Sequence, residues 1–315
     1  LPAIHGSGRS GKTELMVCES CEFQDTFLHL DPDVAVILNV DADHMEYFKT
    51  MEHVIASFHR FAEMSRKAVI YNKSDANTCQ AMAGITGKDA ISFGLAADCD
   101  YYPAEIRREG TGYSFDLMHR GEMLCRIRLA IPGRHNILNA VAACAAALYC
   151  GVAPGQLEEL VPHFGGAQRR FQILGKRDGV VIADDYAHHP RELEVTLRTA
   201  MDLGFRQVWA VFQPFTFSRT ALFLEEFARV LSIPDHAVLS EIMGGREKNT
   251  YGIHTKDLAE KIPGCVWFST FKEISDYVLA HAQPGDLVIT LGCGDIYKCA
   301  NRMMGWPEHG NFDEK

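Results

Sequence analysis

The sequence predicts an α/β protein of two domains, a mixed α/β domain over residues 1–163 and a Rossmann-like domain over residues 164–315. Three observations carry this. Near-continuous apolar runs alternate with amphipathic helical patterns through the second half, the signature of a parallel sheet covered on both faces. The stretch Tyr101–Ile131 alternates more and reads as antiparallel. A chain of 315 residues, 47% of them hydrophobic, has the material for two cores rather than one.

At the start, Gly6-Ser7-Gly8-Arg9-Ser10-Gly11-Lys12-Thr13 satisfies the phosphate-loop pattern letter for letter. Such a loop must follow a buried strand and open a helix whose N-terminal amides hold the phosphates. Only five residues precede it, and an apolar, strand-like run, Leu15–Cys18, follows. The segment therefore reads as a Gly/Ser-rich hairpin or loop entering a strand. A kinase or NTPase built around Lys12 is the alternative. Strands are next expected over Val34–Asn39 and Ala68–Tyr71, and helices over Met51–Met64 and Asn136–Cys150. Gly110-Thr111-Gly112 marks a turn between extended runs. The linker is placed near Pro162–Gly166. Beyond it come strands at Val180–Ala183, Val208–Phe212, Ala237–Leu239, Cys265–Phe268 and Leu287–Leu291. Helices at Arg191–Leu203, Leu222–Leu231, Thr255–Ile262 and Ile274–Ala282 lie between them. The tail after Trp306 is polar.

Composition excludes several classes of function. A net charge of −10 argues against a nucleic-acid surface, which needs a basic stripe. The longest apolar run, Ala140–Cys150, is too short for a membrane span. No basic-then-apolar leader opens the chain, and ten cysteines at irregular spacing suit reduced thiols better than a disulfide framework, so a cytoplasmic location is expected. Cys18 and Cys21 form a C-x-x-C without a second ligand pair, which argues against zinc or disulfide chemistry there.

Chemistry is expected where strands end. Glu19 and Glu22 follow the first predicted strand, and Asp41-Ala42-Asp43-His44 follows the second. Carboxylates converging from neighbouring strand ends suit Mg²⁺, with nucleotide phosphates completing its shell; acidic residues at strand ends also simply cap turns. Pro132-Gly133-Arg134-His135-Asn136 leads into the Ala-rich helix. Asn136 is read as its N-cap, and Asn139 lies on nearly the same face, so that two amides can read a purine edge. Asp184-Asp185-Tyr186-Ala187-His188-His189-Pro190 ends a strand and precedes a helix at the carboxyl edge of a parallel sheet, where ligands bind. A histidine there can orient an incoming amine or accept its proton. Arg219, near the start of the next helix, can clamp a carboxylate or phosphate, although a surface arginine is an equal reading. Gly292-Cys293-Gly294 permits close approach of backbone to an anion, but Ile296-Tyr297 stands where a dinucleotide fingerprint needs its third glycine.

Taken in order, these segments resemble the Mur ligases. The resemblance rests on Glu19-x-x-Glu22 with Phe27-Leu28-His29-Leu30, Asn39-x-x-x-Asp43-His44, Gly133-Arg134-His135-Asn136-x-x-Asn139-Ala140 and Arg169-Arg170-Phe171. Asp184–Pro190, Phe212-Gln213-Pro214 and Gly292-x-Gly294-Asp295 complete it, so it covers nearly the whole chain. Within the family it points to the type that joins L-alanine to UDP-N-acetylmuramate. ATP phosphorylates the muramoyl carboxylate, and the alanine amine attacks the acyl phosphate to give an amide, ADP and phosphate. The resemblance implies that residues 1–163 are an incomplete central ATP-binding domain and that the rest is the amino-acid-binding domain. It implies Glu19 and His44 as Mg²⁺ ligands, with Glu22 as a helper, and His135, Asn136 and Asn139 as adenine contacts. Arg170 and Asp185 are expected to face nucleotide phosphates or ribose across a closing cleft, and His188 and Arg219 to line the site for amino acid and muramoyl carboxylate. The family's phosphate loop and UDP-binding domain belong upstream of Glu19, and this chain begins after both. A polypeptide without that loop is not expected to turn over ATP alone. Cys21 stands where the family commonly has Asp, and Phe215-Thr216 where many members have His-Arg. A related ligase adding a peptide or another amino acid is the neighbouring alternative, and a non-catalytic nucleotide-binding module a further one.

Overall fold

In the computed structural model, which describes residues 8–12 and 14–307, the apolar runs assemble into two separate six-stranded sheets. The chain divides into two compact units, Arg9–Gly165 and the part from Gly166 onward.

The sheet of the first unit runs β1 (Val34–Ile37), β2 (Ala68–Asn72), β3 (Asp89–Phe93), β4 (Tyr101–Glu109), β5 (Gly112–His119), β6 (Glu122–Leu129), in sequence order. The first four strands are parallel, and the last three form antiparallel hairpins, as the alternation over Tyr101–Ile131 predicts. Helices α1 (Met45–Phe48) and α2 (Met51–Met64) come before β2, and α3 (Ala76–Ala81) comes after it. α2 starts where Thr50 accepts a hydrogen bond from the His53 amide at 3.3 Å. It buries Val54, Ser57, Phe61 and Ala62, the spacing of one helical face. With Phe27, Ile37, Phe48 and Val69 these residues form the core on one side of the sheet. On the other side α4 (His135–Tyr149) lays Ile137, Val141 and Ala145 over Ile70, Phe93, Phe115 and Ile127, and α5 (Pro154–Leu160) adds Leu157.

A 3-10 segment, Phe23–His29, links the acidic motif to this core. Its Gln24 and Asp25 take left-handed φ values of 53° and 57°. Such backbone persists where surroundings hold it. Here Phe27, 2% exposed, stacks on Phe61 at 4.7 Å and meets Phe58 edge-on at 5.1 Å. Asp25 accepts hydrogen bonds from Ser57 and, at 2.7 Å, from Tyr47. Burial pulls the Asp25 carboxyl upward, but those two hydrogen bonds and nearby Arg60 outweigh it and leave its pKa below the ordinary value.

The expected strand over Leu15–Cys18 does not form. Leu15, Met16 and Val17 are 58%, 87% and 95% exposed in an irregular stretch, so the apolar run has no sheet to join among the described residues. Gly6, Ser7 and Thr13 of the phosphate-loop pattern lie outside those residues, whereas Gly8–Lys12 is irregular and exposed. No α-helix begins before Met45 among the described residues, so the helix that a phosphate loop must open is missing.

In the second unit the sheet order is β11-β10-β9-β12-β8-β7: β11 is Val266–Phe268, β10 His236–Ser240, β9 Val208–Phe212, β12 Leu287–Leu291, β8 Val180–Asp185 and β7 Gln172–Arg177. All neighbours are parallel except β7, which is antiparallel to β8. β8, β9 and β12 are buried at every position, which is why they read as unbroken apolar runs. β7 escapes that reading because it is a half-exposed edge strand interrupted at Gly175. α6 (Pro190–Asp202), α8 (Leu224–Leu231) and α9 (Thr255–Ala259) contribute to one core. α10 (Phe271–His281) and α11 (Tyr297–Met304) contribute to another. The helix expected over Leu222–Leu231 forms as α8, and a separate short helix, α7 (Phe217–Leu222), precedes it across Phe223. No helix among the described residues is long and apolar enough to cross a membrane.

Phe27→Ala removes the ring that ties the 3-10 segment to α2, and should destabilise the first unit by about 3–4 kcal/mol in denaturant unfolding. A loss below about 1 kcal/mol would show that the segment is not packed in solution.

Candidate functional site

The acidic motif of the first unit is assembled by loops. Glu22 precedes the 3-10 segment, and His44, with a left-handed φ of 53°, precedes α1. Nε2 of His44 stands 4.0 Å from a Glu22 carboxylate oxygen and 4.0 Å from one of Asp43, and Phe23 lies against its ring at 4.7 Å. Ligand atoms of Glu22, Asp43 and His44 all lie within 4.8 Å of one another. Two carboxylates with open coordination sites fit a hard divalent cation that keeps part of its shell for waters or phosphates. Glu19 is not in this group; it is exposed in the irregular stretch three residues before Glu22. Because the Leu15–Cys18 strand does not form, Glu19 does not sit at a strand end, and Asp43 joins Glu22 and His44 in its place.

At the start of α4 the N-cap is Arg134, not Asn136. Asn136 turns its amide back and donates to the Pro132 carbonyl at 2.6 Å, while its Oδ1 accepts from the Asn139 amide at 3.1 Å. The two amides therefore meet as their spacing predicts, and orient one another. The exposed Asn139 presents its carbonyl oxygen and remaining N–H on the helix surface. Gly133, at φ +98°, is required beside them: a Cβ there would lie 2.5 Å from the His135 ring. Desolvation holds His135 below the ordinary histidine pKa, so its imidazole is neutral near pH 7.

In the second unit the candidate residues gather at the carboxyl edge of the sheet. Asp184 and Asp185, 1% and 5% exposed, end β8. Thr290 Oγ1 donates to Asp184 at 2.6 Å, and Arg169 Nε donates to it at 2.8 Å. Burial nevertheless raises the Asp184 pKa against these partners. Asp185 accepts the amides of Phe171 and Ala187, each at 2.7 Å. Burial pushes its pKa up to about 6, although both amides and Arg170 pull it down. With an amide on each oxygen, Asp185 fixes backbone rather than reaching outward.

His188 Nδ1 lies 3.0 Å from the Tyr186 carbonyl and 3.3 Å from the Glu192 carboxylate. Both neighbours are acceptors, so Nδ1 carries a proton, and the tautomer this leaves has Nε2 as its acceptor. Glu192, which closes a capping box at the start of α6, also accepts the His188 amide at 2.9 Å. Arg219 lies in the first turn of α7 behind Thr216, whose φ of 64° marks a strained turn. Nη1 of Arg219 and Oε1 of Gln213 are buried without a hydrogen-bond partner among the described residues. Gly292-Cys293-Gly294 does bring backbone close to a neighbour, but the neighbour is Gln213. A Cβ on Gly294 would stand 2.3 Å from its Oε1, and Gln213 Nε2 donates to Asp295 at 2.9 Å.

Arg169, Glu192 and Gln213 are the residues that sequence reading left without a role, and Asp43 enters it only as one of the strand-end carboxylates, not named as a ligand. Asp43 and Arg169 each stand next to an assigned residue in a quoted motif, and Glu192 lies one helical turn beyond His188, which is the available signal.

Both units match a known family. Residues 2–147 match the Mur ligase middle domain and residues 169–294 the Mur ligase, glutamate ligase domain. The chain belongs to the Mur ligase family. Its sequence is similar to UDP-N-acetylmuramate–L-alanine ligases. It is 39% identical to that of Caldicellulosiruptor saccharolyticus over 93% of this chain and 66% of the relative, and 37% identical to that of Caldanaerobacter subterraneus over 96% and 67%. The chain thus spans about two thirds of the length of these relatives. In fold it resembles the UDP-N-acetylmuramate–alanine ligase of Thermotoga maritima, with a TM-score of 0.72, 21% identity, and coverage of 89% of this chain and 61% of that one. It also resembles the MurF ligase of the same organism, solved in complex with ADP, with a TM-score of 0.66, 17% identity, and coverage of 90% and 64%.

The raised Asp185 pKa has a stability consequence whose sign is fixed. Between its ordinary value of 3.8 and about 6, the folded protein holds a proton that the unfolded chain has released. The stability this contributes is complete below the lower value and is lost as pH rises through the higher one, by up to about 3 kcal/mol. Asp184, also raised, adds a slope of the same sign. Asp185→Asn removes one of the two slopes. Urea unfolding followed by tryptophan fluorescence should therefore show the stability difference shifting toward the variant from pH 4 to pH 7. A difference independent of pH would mean that Asp185 titrates normally.

Proposed function

We propose that this chain is the nucleotide-binding and amino-acid-binding part of an ATP-dependent ligase that joins L-alanine to UDP-N-acetylmuramate. The observation that carries the reading is identity of 37–39% to ligases of that name, running through both units. ATP with a divalent cation, Mg²⁺ being the expected one, would supply the phosphoryl group that converts the muramoyl carboxylate into an acyl phosphate.

The chain's own residues then have distinct tasks. Glu22, Asp43 and His44 would hold the cation, with Glu19 the neighbouring carboxylate on the exposed segment. Asn136 and Asn139, set against one another, take the adenine edge, and neutral His135 packs beside them. The guanidinium of Arg170 meets phosphate oxygens, and that of Arg219 a carboxylate; planar forks match both geometries. His188, with Nδ1 held by Tyr186 and Glu192, offers Nε2 to the amine, orienting it and receiving its proton as the amide forms. Asp185 acts through the backbone on either side of it. Catalysis on this reading is positioning plus cationic stabilisation of a transferring phosphoryl group.

The test is amino-acid-dependent phosphate release by the full-length protein supplied with ATP, Mg²⁺ and UDP-N-acetylmuramate. L-alanine should stimulate release; stimulation by a peptide and not by alanine overturns the assignment in favour of a related ligase. In the same assay Asn139→Ala should raise KM for ATP about tenfold while changing kcat less, the pattern of a lost ground-state contact. An unchanged KM would remove Asn139 from the adenine site.

A further inference from the structure

Arg169 and Arg170 are adjacent and differ completely in what they touch. Arg169 is enclosed. Besides its bond to Asp184, its guanidinium donates to the Gly292 carbonyl at 2.5 Å and the Gly294 carbonyl at 3.2 Å. The rings of Tyr186 and Tyr297 lie over it at 5.0 and 5.1 Å. Its backbone is held as well: the amide donates to Gln172 Oε1 at 2.9 Å, and the carbonyl accepts the Tyr186 amide at 2.7 Å. With its donors engaged by one carboxylate and two carbonyls, Arg169 has little capacity for a ligand.

Arg170 is exposed, its guanidinium 5.7 Å from the Tyr186 ring. The residue on its other side, Phe171, is 8% exposed and donates its amide to Asp185. Arg169 and Phe171 take left-handed φ values of 56° and 44° without being glycine. Such backbone is retained where surrounding structure over-determines it, and it concentrates at functional sites. The two strained residues flank the exposed arginine, and each is tied to one aspartate at the end of β8.

We infer that Arg169 is a positioning residue. It ties the loop before β7 to Asp184 and to the Gly292–Gly294 turn, and so presents the Arg170 guanidinium at a fixed place to the phosphate groups of an anionic ligand. The inference rests on the reading of Arg170 as an anion contact. An arginine is needed at position 169 because a planar fork spans three acceptors at once, whereas lysine offers a point charge that satisfies Asp184 and releases the carbonyls.

The probe is inorganic tripolyphosphate, titrated calorimetrically into the 315-residue chain at low ionic strength. Arg170→Ala should weaken binding at least tenfold. Arg169→Lys, which keeps the charge, should weaken it about tenfold at a temperature where both proteins are folded, and should cause no further loss when added to Arg170→Ala. Gln172→Leu, which removes only the Arg169 backbone contact, should weaken binding in the same direction by about threefold, and serves if Arg169→Lys does not fold. Affinity unchanged in Arg169→Lys despite a lowered Tm assigns Arg169 a purely structural role and overturns the inference; so does a loss that adds in full to that of Arg170→Ala. Tripolyphosphate binding that is absent, or unaffected by Arg170→Ala, overturns the anion reading itself, an outcome recognisable without the Arg169 variants.

Discussion

Two carboxylates are buried side by side at the end of β8, and the carboxyl edge of the second unit's sheet is organised around keeping them supplied with partners. An unpaired carboxylate removed from water costs several kcal/mol, so each must find donors nearby. Asp184 finds Arg169 and Thr290; Asp185 finds two backbone amides. These donors come from the loop before β7, from β12 and from the turn after β8. Satisfying the pair therefore joins the loop before β7 and the turn after β8 to β12, more than a hundred residues away, and brings Arg170, His188 and the Gly292–Gly294 turn to one edge. Burial still leaves both pKa values raised, so the partners offset desolvation only in part.

The first unit solves a different problem. Its cluster of Glu22, Asp43 and His44 sits on loops, which have no ladder hydrogen bonds to hold them, and so needs an anchor. The anchor is the 3-10 segment, pinned by Phe27 in the core and by Asp25 beneath Tyr47 and Ser57. Glu22 precedes that segment, and His44 caps the short helix that carries Tyr47, so both ligands hang from the same fastening. Carboxylates and an imidazole are left facing one another at about 4 Å, close enough to share an ion and too exposed to form strong pairs unaided.

Much of the architecture was legible because fully buried strands cannot avoid an apolar sequence. β8, β9 and β12 and the face of α2 follow directly from period and composition. The misreadings share a cause. Leu15–Cys18 has the composition of a strand, but a strand exists only where a neighbouring strand pairs with it, and neither sheet among the described residues includes this run. Asn136 has the chemistry of an N-cap, yet its amide serves Pro132 and Asn139 instead. β7 was invisible because an edge strand meets solvent on one side and need not be apolar.

Sequence alone determined which residue types stand in which order: carboxylates and a histidine after one strand, paired asparagines one helical turn apart, a double aspartate before a histidine, and glycines at the last turn. Those follow from local periodicity and spacing, which act over a few residues. Only the tertiary structure decided which of them meet. It put Asp43 rather than Glu19 beside Glu22 and His44, turned Asp185 inward onto two amides, and closed the Gly292–Gly294 turn on Gln213 and Arg169. Such pairings depend on burial and on donors supplied by distant segments, and neither quantity is written in the local order of residues.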